Sequence, residues 1–223
     1  MKTNKRTTIL IAVCIAIIAG VGGTIAAFRA STGTKEDVTT ATLGVTIVQT
    51  VDSDQANQVQ FDAKGNFAGL TYATAAPGAI IQEEVAVKNT DQKPCYLSVR
   101  INRSWINEEG VKDFTLDPEE ITINQNNTAW LIQTDPNDSE YILFYYKQIL
   151  EPGETTANVM DSFEILTHQL NQNSNAYANM SSQITFTANA IQTTAASDAM
   201  LAEWGINPTF DPSTGDLIGY SEQ

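Results

Sequence analysis

The sequence predicts an all-β fold, a jelly-roll-type β-sandwich with short helices or loops in its insertions, preceded by a cleaved signal peptide. Three observations carry that expectation. Segments of alternating apolar and polar residues recur from residue 41 onward, the period that puts one face of a strand in a core. Turn dipeptides such as Pro77-Gly78 and Pro152-Gly153 separate them, and this density of strands and turns fits a sandwich. An aromatic run, Tyr141 to Ile149, suits a strand covered on both sides.

In order along the chain, Leu43, Val45, Ile47 and Val51 share one face of a first strand, with Gly44, Thr46 and Thr50 opposite. Val85 and Val87 alternate with Glu84 and Lys88. The cleanest period of two is Cys95, Leu97, Val99 and Ile101 against Tyr96, Ser98, Arg100 and Asn102. The acid-rich stretch from Glu108 to Glu120 and the segment 171–181 are expected to hold short helices or loops. Asp135-Pro136-Asn137-Asp138 reads as a turn, Phe163-Glu164-Ile165 as a further strand. Ile184, Phe186, Ala188 and Ala190 then alternate with Thr185, Thr187 and Asn189. Ala195 to Trp204 has helical composition with Ser197 as its expected cap. Phe61–Asn66 and Phe210–Asp216 each read as a hairpin turn between short strands.

The N-terminus carries Lys2, Lys5 and Arg6 with no acid before Glu36, then an apolar run from Ile9 to Ala19. A membrane span needs about 20 apolar residues. A basic start, a short apolar run and small residues near Ala26 instead describe a secretory signal peptide. Residues 1–26 are assigned to it, with cleavage between Ala26 and Ala27; the competing reading is an uncleaved anchor. Cys14 is preceded by Val13 and followed by further apolar sequence, so it does not read as a lipidation site. The exported chain is expected to be released or held non-covalently. It keeps nine basic residues against 26 acids, about −17 in net charge. That surface repels nucleic acid and anionic lipid, so no nucleic-acid partner is expected and membrane contact is confined to export. Cys95 is then the one cysteine, which excludes an intramolecular disulfide and reads as a small buried hydrophobe.

Catalytic chemistry finds little to work with. Zinc hydrolysis generally needs several His, Cys or acidic ligands; the chain has one histidine, His168, and no His-Glu-x-x-His. A serine triad would also need His168, and no Gly-x-Ser-x-Gly elbow is present. The acid pairs Glu83-Glu84, Glu108-Glu109 and Glu119-Glu120 read as solvated surface, since strand neighbours point to opposite faces. Asp52-Ser53-Asp54-Gln55-Ala56-Asn57 spaces oxygen ligands as calcium loops do, but lacks the glycine and closing glutamate of an EF-hand. No cofactor, catalytic or metal residue is assigned. Trp105, Trp130, Tyr141, Tyr145 and Tyr146 admit a sugar-stacking platform, though core packing explains them more simply.

Six blocks in order resemble the TasA/camelysin group of exported proteins. They are Gly22-Gly23-Thr24-Ile25-Ala26-Ala27-Phe28, Ala41-Thr42-Leu43-Gly44-Val45, Pro77-Gly78 with Val85-Ala86-Val87-Lys88-Asn89, Tyr96-Leu97-Ser98-Val99-Arg100, Tyr145-Tyr146-Lys147 with Leu150-Glu151-Pro152-Gly153-Glu154-Thr155-Thr156, and Ala188-Asn189-Ala190-Ile191-Gln192 with Trp204 downstream. Gly44 stands where the family has an acid. The resemblance implies processing by a signal peptidase of the endoplasmic-reticulum type. It also implies a secreted structural protein of extracellular fibres or biofilm matrix, whose partners are copies of itself or related fibre subunits. Part of the group has been called metalloprotease, so a secreted metal-dependent endopeptidase is the first alternative; a monomeric adhesin or carbohydrate-binding module is the second. The expected organisation is residues 1–26 as signal, 27–40 as a mobile segment, 41–204 as the sandwich, and 205–223 as a tail with a hairpin. The 27–40 segment is the expected donor strand, anchored by Phe28 and Val38.

Overall fold

The computed structural model describes residues 44–51, 58–61, 63, 67–73, 78, 80–166, 176–177 and 179–222. The expected signal peptide with Ala26 and Ala27, the segment bearing Phe28 and Val38, the Asp52–Asn57 loop and His168 lie outside these residues.

Thirteen strands and one α-helix make up the described chain: β1 (Val45–Val51), β2 (Gln58–Phe61), β3 (Phe67–Ala73), β4 (Ile80–Asn89), β5 (Cys95–Ile106), β6 (Lys112–Asp113), β7 (Ile121–Asn124), β8 (Trp130–Asp135), β9 (Asp138–Tyr146), β10 (Met160–Ile165), β11 (Ser181–Gln192), α1 (Ala196–Trp204), β12 (Ile206–Phe210) and β13 (Leu217–Glu222). They form an antiparallel sheet ordered β1-β4-β10-β7 and a second ordered β2-β3-β11-β5-β9-β8, with β6 paired to β5. The chain changes sheet between β1 and β2, β3 and β4, β4 and β5, β6 and β7, β7 and β8, β9 and β10, and β10 and β11. That winding builds the all-β sandwich expected from the alternation.

The main core lies between the two sheets. Ile81, Val85 and Val87 of β4 and Phe163 and Ile165 of β10 meet Leu97, Val99 and Ile101 of β5 and Ile184 and Phe186 of β11. The period of two selects these residues because alternate side chains on a strand face the same way. In β5 the series runs further than its apolar residues, through Arg103 to Trp105, both buried. Arg103 is tolerated inside because Nε donates to Ser139 O at 3.0 Å and Nη1 to Ile121 O at 2.9 Å. Burial lowers its pKa, against the opposing pull of Glu119 and Asp117.

Two blocks far apart in sequence meet at the end of β4. Asn89 is fully buried; its Nδ2 donates to Lys93 O at 2.9 Å and Leu150 O at 3.0 Å, and its Oδ1 accepts from the Asp91 N–H at 2.9 Å. Its backbone exchanges bonds with Glu154 and Gly153, and Val87 does so with Thr156. The Pro152-Gly153 turn needs glycine's freedom, since Gly153 has φ +81°.

A second, smaller core lies on the outer face of the larger sheet. Tyr96, Tyr145 and Ile191 point away from the main core and are covered by Met200 of α1, Ile206 of β12 and Leu217 of β13. Residues 206–222 thus form a hairpin packed within the same compact unit as the sandwich. Its turn is organised by Asp211, whose Oδ1 accepts from the Ser213 and Thr214 amides at 2.7 and 3.1 Å. α1 lacks the expected serine cap. The residue preceding it is Ala195, in the left-handed region at φ 55°, with no side-chain bond, and Ser197 lies inside the helix.

Candidate functional site

Glu108 and Glu109 are exposed, as the sequence predicted, but the other two acid pairs each place one member inside. Glu83 and Glu120 are fully buried. Glu83 shares the inward parity of Ile81, Val85 and Val87 on β4, so extending the observed alternation two residues back would have found it. Tyr72 Oη donates to Glu83 Oε2 at 2.8 Å, and Gln49 Nε2 donates to Oε1. These bonds hold a carboxylate where water is excluded. Glu120 ends a 3-10 turn, Pro118–Glu120, capped by Asp117. Among the described residues no group of three or more His, Cys, Asp or Glu side chains is placed to hold a metal ion.

The aromatics divide by face. Trp105, Trp130 and Tyr146 are buried in the main core. The Trp105 indole N–H donates to Asp117 O at 2.9 Å and that of Trp130 to Asn158 O at 3.0 Å. Tyr145 belongs to the second core, and Tyr141 is half-buried on the outer face.

That outer face holds the concave site. β12, β13 and α1 cover one end of the larger sheet and stop part way along it, leaving a step. At the foot of the step runs a trench in two adjoining hollows of about 230 and 280 Å³, which share Tyr141 and Leu143. Strand register places the floor. Ser98 sits between Asn189 and Tyr145, Arg100 between Thr187 and Leu143, and Asn102 between Thr185 and Tyr141. Glu203 and Trp204, at the end of α1, wall the first hollow; Glu222 and the Asp135–Asn137 turn wall the second.

Ring contacts and hydrogen bonds tie the lining together. The Arg100 guanidinium lies 4.1 Å from the Tyr141 ring centroid, and its Nε donates to Asn102 Oδ1 at 3.0 Å. Trp204 packs on Tyr145 at 5.5 Å between centroids. Tyr145 Oη donates to Gln133 Oε1 at 2.5 Å, and Gln133 Nε2 donates to Glu222 Oε1 at 2.8 Å, joining sheet to hairpin. Burial raises the Tyr145 phenol's pKa, with Tyr220 and Glu222 adding to it, so it is a hydroxyl donor at neutral pH. Sequence reasoning placed Tyr141 and Tyr145 among its aromatics but missed Trp204 as their neighbour. Nothing in the spacing of residues 100, 141, 189 and 204 announces that they meet; the local signal was a tryptophan in the last turn of a short helix.

A second feature is an edge. Among the described residues β1 pairs with β4 alone. Its seven residues, Val-Thr-Ile-Val-Gln-Thr-Val, include no charge and no proline, and a register shift occurs only between Gln49 and Val51. Natural edge strands are commonly blunted by lysine, proline or brevity.

No family model, no curated protein and no solved structure matches the chain.

Proposed function

We propose that the protein is a secreted, non-catalytic structural subunit of extracellular fibres or matrix at a bacterial cell surface. The observation that carries this reading is the β1 edge: a regular, uncharged strand of high β-propensity with pairing on one side from β4. Such an edge accepts an extended segment from another chain through backbone hydrogen bonds. A head-to-tail contact of that kind does not close on itself and propagates as a filament. The donor in this reading is residues 27–40, with Phe28 and Val38 as anchors.

Two further features support a structural role. The acidic chain suits a soluble exported subunit that assembles only through directed contacts. Many of its carboxylates serve local turns: Asp113 accepts from Thr115, Asp117 from Glu119, Asp135 from Asn137 and Asp138 from Glu140. Comparing mature protein with a form lacking residues 27–40 by electron microscopy tests the reading. The truncated chain is expected to stay folded and monomeric; identical filaments from it would remove the donor-strand mechanism.

A further inference from the structure

We infer that the trench on the outer face of the larger sheet binds a neutral oligosaccharide. This inference stands apart from the fibre reading, since it uses neither the β1 edge nor residues 27–40.

Several polar groups along the trench are left open. Ser98 lies on the floor with 3% of its surface exposed, and its hydroxyl has no protein partner among the described residues. The same holds for the Trp204 indole N–H, the Asn189 side-chain amide and the terminal nitrogens of Arg100. The two tryptophans of the main core both have their indole N–H bonded, so Trp204 differs from them in being available. These groups line the trench without being committed to neighbouring side chains, so their donors and acceptors can turn to a bound ligand.

The charges of the trench are mixed. Arg100 lines the trench together with Glu203, Glu222 and Asp135. A polyanion would meet three carboxylates, and a polycation would meet a guanidinium already stacked on the ring it would otherwise occupy. A neutral polyol suits the mixture, because each hydroxyl both donates and accepts. Carboxylates and amide oxygens accept from it, while the guanidinium, indole N–H and Ser98 hydroxyl donate to it.

The trench is also elongated. The trench crosses β11, β5, β9 and β8, about 14 Å at the usual spacing between strands. Its open aromatic surface is that of half-buried Trp204 in the first hollow, since Tyr145 is 1% exposed and the Tyr141 ring carries the Arg100 guanidinium. An elongated ligand of a few sugar rings matches that length, and the apolar faces of such rings stack on aromatic side chains.

The test uses the mature chain and a panel of neutral oligosaccharides: β-linked glucose, β-linked N-acetylglucosamine, α-linked glucose and galactose oligomers. Calorimetry measures affinity, and tryptophan emission reads the site, because Trp204 is the trench tryptophan and Trp105 and Trp130 are buried. At least one neutral oligomer is expected to bind with a shift in emission. Trp204→Ala and Arg100→Ala should each weaken it at least tenfold, and exposed Lys88→Ala should leave it unchanged. Arg100 is exposed, so its variant reports on the trench even if Trp204→Ala disturbs packing on Tyr145. Failure of the whole neutral panel overturns the inference. So does binding that survives both trench substitutions, or preferential binding of a polyanionic or polycationic polymer.

Discussion

Asn89 offers the sharpest perturbation of the fold. It is fully buried and makes three side-chain hydrogen bonds, donating to Lys93 O and Leu150 O and accepting from the Asp91 amide. Each bond contributes about 0.5–1.5 kcal/mol, and a buried partner left unsatisfied costs more, so Asn89→Ala should destabilise by about 2–4 kcal/mol. For a unit of this size that lowers Tm by about 5–15 °C. Asn89→Asp keeps the shape but replaces the donor with an oxygen facing two carbonyls. At pH 7 it should destabilise more than alanine does. Its sign with pH follows from linkage: the introduced carboxyl has a folded pKa raised above the ordinary value. The added penalty is absent below about pH 4, grows as pH rises towards the folded pKa, and is constant above it. Urea unfolding followed by tryptophan emission at pH 7 and pH 4 measures both effects. An alanine variant within about 0.5 kcal/mol of wild type, the scatter of ordinary surface changes, would refute the claim that Asn89 ties β4 to the 150s turn. An aspartate variant equally impaired at both pH values would refute the electrostatic part.

Two other outcomes follow from the same chemistry. Burial, helped by Asp91 and Glu151, pushes the Cys95 thiol up to about 11, so at pH 8 only about a thousandth of it is thiolate; a thiol reagent should label folded protein far more slowly than urea-unfolded protein, and equal rates would contradict the burial. Asp211 is held below its ordinary 3.8 by the Ser213 hydroxyl and by the Ser213 and Thr214 amides; its support of the β12–β13 turn should be complete above that ordinary value and fade as pH falls through the lower folded one, with amide exchange at Ser213 accelerating on acidification in wild type but not in Asp211→Asn.

The legibility of the fold in the sequence follows from parity. Cys95, Leu97, Val99 and Ile101 carry their side of β5 in plain apolar letters, and all are fully buried. The same parity continues to Arg103 and, in β4, back to Glu83. A charged residue on an inward position reads as surface until its partners are seen, and those partners, Ser139, Ile121, Tyr72 and Gln49, come from other segments. β7 and β8 escaped because Ile121–Asn124 is short and Trp130–Asp135 is half polar. The helix was visible in composition, whereas its start was not, since Ala195 supplies a left-handed backbone rather than a capping side chain. The trench was least legible. Its floor is made of outward positions such as Ser98, Arg100 and Asn189, which look like solvated surface, and it becomes concave only because α1 and the hairpin stop beside them.

Negative-stain electron microscopy of purified residues 27–223 decides whether this chain is a fibre subunit. A fibre subunit gives unbranched filaments of uniform width that lengthen with protein concentration. A folded chain that stays monomeric by sedimentation, and shows no filaments at any concentration or salt, would contradict that reading.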